Sequence, residues 1–210
     1  MAESLILWSS TMTMGTIAHA FLAEAGAVFE PRWLSLKAGE HRGEAYLAVN
    51  PKGQVPALQV EGKGVLTEIP AIGGFVADTH PEAKLLPDDA FGRAEALGWL
   101  AWFHYRHAES FGAMFNPARF AGGDQAGAEA IRAAAKARID AGFGLLEARL
   151  SDRSFVMGAE RTLADIAIGV ATRWAGRGGI EVPPRAAAHR DRVLALPGVA
   201  RVFEMEGASG

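Results

Sequence analysis

The chain has 210 residues, 50% of them hydrophobic and 21% charged, a globular composition with material for one large or two modest domains. Its net charge of -3 supplies no broad cationic field, so neither nucleic acid nor an anionic membrane surface is implied as a partner. The absence of cysteine excludes disulfides, thiolate metal sites and a cysteine nucleophile, and the lack of a basic start in Met1-Ala2-Glu3-Ser4 or of an apolar run near the roughly 20 residues of a membrane span points to the cytoplasm.

Leu5-Ile6-Leu7-Trp8 is an apolar run of strand length, broken by the polar Ser9-Ser10-Thr11. A helix follows, with Ile17, Ala18, Phe21 and Leu22 at helical spacing and Gly26 as its stop. A second strand is expected within 28–36, then an exposed loop from Lys37 to Gly43 and a short helix over 44–49. Asn50-Pro51-Lys52-Gly53-Gln54-Val55-Pro56-Ala57-Leu58 crowds two prolines and a glycine against a strand entry. Pro56 cannot donate to a sheet ladder, so it either begins the strand or follows a cis bond. Strands at 58–60 and 65–67 flank the hairpin turn Glu61-Gly62-Lys63-Gly64, and Pro70 opens a helix that buries Ile72, Phe75 and Val76.

The first 80 residues therefore read βαβ followed by ββα. The polar stretch 81–88, with Pro81 and Pro87, reads as a linker, and 89–210 lacks any strand signal. Long helices are expected over 94–111 and 126–150, the second with Ile131, Ala135, Ile139, Phe143, Leu146 and Leu150 on one face. Thr162-Leu163-Ala164-Asp165 carries capping-box spacing, with Val156 ahead of it as a staple partner. The nearly all-apolar helix that it opens, ending at Trp174, should be central to a bundle. The six histidines are scattered, and only His104 and His107 pair at helical spacing, without a third ligand, so no metal is expected. No phosphate loop or dinucleotide-binding glycine signature is present.

Three pieces in order, the Asn50 to Leu58 segment, Leu66-Thr67-Glu68 with Ala71-Ile72, and Thr162 to Asp165 leading to Arg173-Trp174, resemble the glutathione transferase family, nearest to the bacterial beta-class pattern. The resemblance implies a thioredoxin-like α/β domain followed by an all-α helix bundle. It also implies glutathione as a co-substrate, no permanently bound cofactor, a small electrophile as second substrate, and a homodimer. Val55 and Pro56 match the element that offers a backbone edge to the extended tripeptide, as an added strand would meet it. Glu68 matches the acidic residue at the γ-glutamyl end, with helix-start amides around Ile69 suited to the α-carboxylate. Lys37 falls near the position reaching the glycyl carboxylate, and Gln54 adjoins the Val55 backbone.

The chain departs from that pattern at several places. Met14 stands where the beta class has cysteine, with Gly15 in place of the serine after it. Ile69 replaces a serine, and Ala101 and Ala108 replace an asparagine and a histidine. A thioether cannot donate a hydrogen bond, so a donor to the thiol must come from nearby: Thr13, with Thr11 and Ser10 as alternates, each of which is also an ordinary helix-capping residue. Met14, His104, Tyr105, His107 and Phe111 are the candidate lining of the second-substrate pocket. The competing reading is a binding or structural protein that kept the fold without turnover.

Overall fold

The computed structural model describes residues 4–208; Met1, Ala2 and Glu3, used above for the leader argument, lie outside them. The described residues divide into two compact units, one running to Leu85 and resuming at Ala195, the other Leu86–Leu194. The sequence reading grouped all of 89–210, whereas the last helix belongs with the first unit.

In the first unit, β1 (Leu5–Ser9), α1 (Met14–Glu24) and β2 (Glu30–Trp33) form the βαβ half. After the single turn α2 (Glu44–Leu47), β3 (Ala57–Val60), β4 (Gly64–Thr67) and α3 (Ile69–Thr79) form ββα. The sheet order is β2-β1-β3-β4, with β1 and β2 parallel and the other pairings antiparallel. This is the thioredoxin-like arrangement. β2 is shorter than expected, and Val28, counted within it by sequence, is 89% exposed. Pro31 has no N–H for a ladder and is tolerated because β2 lies at the sheet edge. Leu7, Ile17, Phe21, Leu58, Ile72 and Val76 are wholly buried and form the core of this unit. The closing helix α11 (Pro197–Ala208) packs on α1, where the Thr16 hydroxyl donates to Glu206 Oε1 at 2.6 Å.

The second unit is all helical: α4 (Ala90–Trp102), α5 (Glu109–Phe115), α6 (Ala118–Ala121), α7 (Gln125–Arg149), α8 (Leu163–Thr172), α9 (Trp174–Arg177) and α10 (Pro184–Leu194). A π-helical segment, Phe103–Ala108, joins α4 to α5, so the single helix expected over 94–111 is interrupted at its aromatic and histidine-rich stretch. All ten residues of α8 are buried, as its apolar run predicts. Its start is fixed by Asp165, whose carboxylate accepts from Thr162 N, Thr162 Oγ1 and Val156 N at 2.8, 3.0 and 2.7 Å.

Two histidines are buried in apolar surroundings. His107 stacks on Trp102 and meets Phe111 and Phe143 edge-on, with ring centroids 5.8, 5.4 and 5.0 Å away. Gly142 makes the room, since a Cβ there would lie 2.1 Å from His107 Nδ1. His19 packs against Phe29 and Trp33 in the first unit. Burial lowers the pKa of each from its ordinary value near 6.5 to about 4. Both imidazoles stay neutral in the fold while the unfolded chain takes up protons below about 6.5, so acid favours unfolding. The melting temperature should therefore be insensitive to pH above about 7 and fall as the pH drops from about 6.5 toward 4. His107→Leu should flatten part of that fall, checked by thermal unfolding across a pH series; an unchanged slope would contradict the assignment.

Candidate functional site

The first unit concentrates its unusual backbone at two neighbouring loops. The Val55-Pro56 bond is cis, which selects between the two readings left open by sequence, and β3 begins one residue later. The loop before it is clamped from α2: Tyr46 Oη and Asn50 Nδ2 both donate to the Gln54 carbonyl, at 2.6 and 2.7 Å, while Asn50 Oδ1 accepts from Lys52 N at 3.2 Å. Burial raises the Tyr46 phenol above its ordinary pKa, partly offset by Asn50, so it remains a proton donor. With Gln54 C=O engaged in this way, the adjoining Val55 N–H and C=O make no hydrogen bond among the described residues. Val55 is half-buried and Pro56 buried, whereas Gln54 is exposed.

Glu68 joins β4 to α3 with φ 72° and ψ 129°, a conformation rarely held by a residue with a Cβ and costing on the order of 1–3 kcal/mol. Such strain persists where the surroundings over-determine it, and here it sets the Glu68 carboxylate at the mouth of a helix start. Ile69 follows, fully buried, so its side chain anchors α3 to the core and only its main chain is available to a ligand. Pro70 has no N–H, which leaves Ile69 and Ala71 as the amides of the first turn without an intrahelical acceptor. Lys52 Nζ reaches across to both Thr67 Oγ1 and Glu68 Oε1, at 2.8 and 3.0 Å. Sequence reasoning placed Lys52 inside a motif but assigned it nothing. The 16-residue separation from Glu68 is closed only by the β3–β4 hairpin.

At the start of α1, Thr13 is the N-cap. Its Oγ1 accepts from Gly15 N at 3.0 Å and donates to the Ser10 carbonyl at 2.7 Å, so the hydroxyl proton is directed at its own loop. Ser10 is buried and Thr11 half-buried, and neither hydroxyl is engaged among the described residues. Met14 is the first helical residue and half-buried. Gly15 sits close against the end of β1: a Cβ there would fall 2.2 Å from Ser9 Oγ, so that hydroxyl would have to move. Lys37 is exposed in the turn after β2.

In the helical unit the candidate lining separates into two groups. His107 and Phe111 are 4% and 1% exposed and belong to the aromatic core, so the lining role expected of them is corrected. Their apolar neighbours come from α7 and α9, which spacing within α4 and α5 does not disclose. Tyr105 is exposed and packs edge-on to the half-buried His104, centroids 4.6 Å apart. A separate groove of about 550 Å³ is lined by Met114, Phe115, Arg132, Arg177 and Gly178, with the Arg177 guanidinium over the Phe115 ring. Among the described residues no group of three or more His, Asp or Glu side chains could hold a metal ion, and no helix is long and apolar enough to cross a membrane.

Comparison with known proteins agrees with this architecture. Residues 3–78 match the glutathione S-transferase N-terminal domain and residues 129–204 the glutathione S-transferase C-terminal domain. Glutathione S-transferase GST-4.5 of Xanthomonas campestris is 30% identical over 77% of this chain and 80% of its own. A maleylacetoacetate isomerase of Pseudomonas aeruginosa is 34% identical over 61% of this chain and 59% of its own. The structure of a sphingomonad glutathione S-transferase complexed with glutathione superposes with a TM-score of 0.85 at 28% identity, covering 96% of this chain and 98% of that one. The chain belongs to the glutathione S-transferase family of enzymes.

Proposed function

We propose that the protein conjugates the thiol of glutathione to a small hydrophobic electrophile. The observation carrying this reading is the Val55 main chain, whose N–H and C=O are unengaged while the residues around it are clamped, beside a Glu68 held in a strained conformation at a helix start. An extended tripeptide gains main-chain hydrogen bonds at such an edge as an added strand would. Glu68 suits the α-ammonium of the γ-glutamyl residue, and the Ile69 and Ala71 amides suit its α-carboxylate. Lys37 and Gln54 remain candidates for the glycyl end.

The thiol must be bound as thiolate, and an α-helix N-terminus with a hydroxyl donor lowers a thiol pKa. Because Thr13 directs its proton to Ser10, we assign the donor role to the Thr11 hydroxyl and the Met14 N–H, with Ser10 as alternate and Thr13 holding the loop.

Calorimetry should show glutathione binding, weakened about tenfold or more by Glu68→Ala. Turnover of an activated aryl halide should fall in Thr11→Ala without loss of stability, whereas Thr13→Ala should cost about 1 kcal/mol of stability as a lost cap. Binding without any turnover would support the non-catalytic alternative, and no binding would remove the glutathione reading.

A further inference from the structure

Lys52 is the basic side chain paired with Glu68. Its ammonium lies at the end of the β3–β4 hairpin, hydrogen-bonded to Thr67 Oγ1 at 2.8 Å and paired with Glu68 Oε1 at 3.0 Å. The side chains are 53% and 39% exposed. An ion pair so open to water is weak and exchanges partners readily.

The α3 start beside it offers an anion two amides, those of Ile69 and Ala71, and no full charge. Ile69, wholly buried, offers no hydroxyl, and Pro70 removes one amide from the first turn. A γ-glutamyl group nevertheless brings an α-carboxylate as well as an α-ammonium. One carboxylate, Glu68, answers the cation. A full cation for the anion is available from a neighbouring segment, where Lys52 Nζ lies 3.0 Å from Glu68 Oε1.

Resting on the glutathione reading, we propose that Lys52 determines specificity for the zwitterionic γ-glutamyl end. When the tripeptide binds, the Lys52–Glu68 pair opens, the ligand α-ammonium takes Glu68, and Lys52 takes the ligand α-carboxylate while Thr67 Oγ1 keeps its ammonium at the hairpin end. Two exposed charges that satisfy each other in the structure are thereby redistributed over a ligand of matching dipole. The site then discriminates against γ-acyl peptides that lack either charge.

The test uses the full chain in calorimetric titrations with two ligands: glutathione, and γ-aminobutyryl-cysteinyl-glycine, which keeps the ammonium and lacks the α-carboxylate. Lys52→Met should weaken glutathione binding about tenfold while changing binding of the analogue by less than about twofold, and Lys52→Arg should retain most of the affinity for glutathione. Equal losses for both ligands would mean that Lys52 only aligns Glu68 and would overturn the proposal, as would an unchanged affinity for glutathione in Lys52→Met. A wild-type chain that binds no glutathione defeats the underlying reading first, and this outcome is distinct from the other two.

Discussion

Replacing Asp165 by alanine should lower the melting temperature by about 10 °C, the largest single effect expected in the helical unit. Its carboxylate is wholly buried. Oδ2 accepts from Thr162 N and Oγ1, while Oδ1 accepts from Val156 N and lies 2.9 Å from His189 Nε2. Truncation leaves two main-chain N–H groups and an imidazole without their acceptor, away from water, and such orphaned donors carry the full desolvation penalty. The loss falls at the start of α8, on which α4 and α10 pack. Asp165→Asn should be nearly as harmful, because an NH₂ then faces groups that are already donors. Thermal unfolding followed by far-ultraviolet circular dichroism decides the matter, and a shift below about 3 °C for Asp165→Ala would show that the network is not needed for stability.

Gly198→Ala should destabilise the first unit by about 2–3 kcal/mol. A Cβ at this position would lie 2.4 Å from Glu24 Cα, 2.5 Å from Glu24 N and 2.6 Å from the Ala23 carbonyl carbon. Backbone cannot yield as a flexible side-chain tip can, so α11 would have to lift from α1. That movement would also loosen the bond from Gly198 N to Glu24 Oε2, at 3.0 Å, and the packing of the buried Val199 and Val202. Because α1 begins at the loop carrying Thr11 and Thr13, the same variant should raise hydrogen exchange at the first turn of α1. Urea denaturation measures the stability change, and a value within about 0.5 kcal/mol of wild type would contradict the close-approach argument.

Much of the fold could be read from local rules. The βαβ-ββα order follows from apolar runs of strand length punctuated by Gly26, the Glu61-Gly62-Lys63-Gly64 turn and Pro70. The start of α8 follows from the Thr162–Asp165 spacing. The backbone of the candidate site was legible where a motif is continuous, as at the cis Val55-Pro56 bond within Asn50 to Leu58. The site was not legible where one side chain meets another from a distant segment. Lys52 meets Glu68 across the hairpin, and Thr13 turns out to direct its hydroxyl to Ser10. His107 sits on the same helical stretch as the exposed Tyr105, yet its ring is enclosed by Phe143 from α7.

By itself, the amino-acid sequence determined the βαβ-ββα order, the helical character of the second half, the start of α8 and which family they resemble, because periodicity, caps and turn chemistry act within about one helical turn or one hairpin. Tertiary structure alone decided that α11 returns to α1, that Ser9 occupies the space beside Gly15, that His107 is a core residue, and that Lys52 stands against Glu68. Those outcomes depend on close packing between segments far apart in the chain, where the volume and charge of one surface select the other, and no local pattern records that choice.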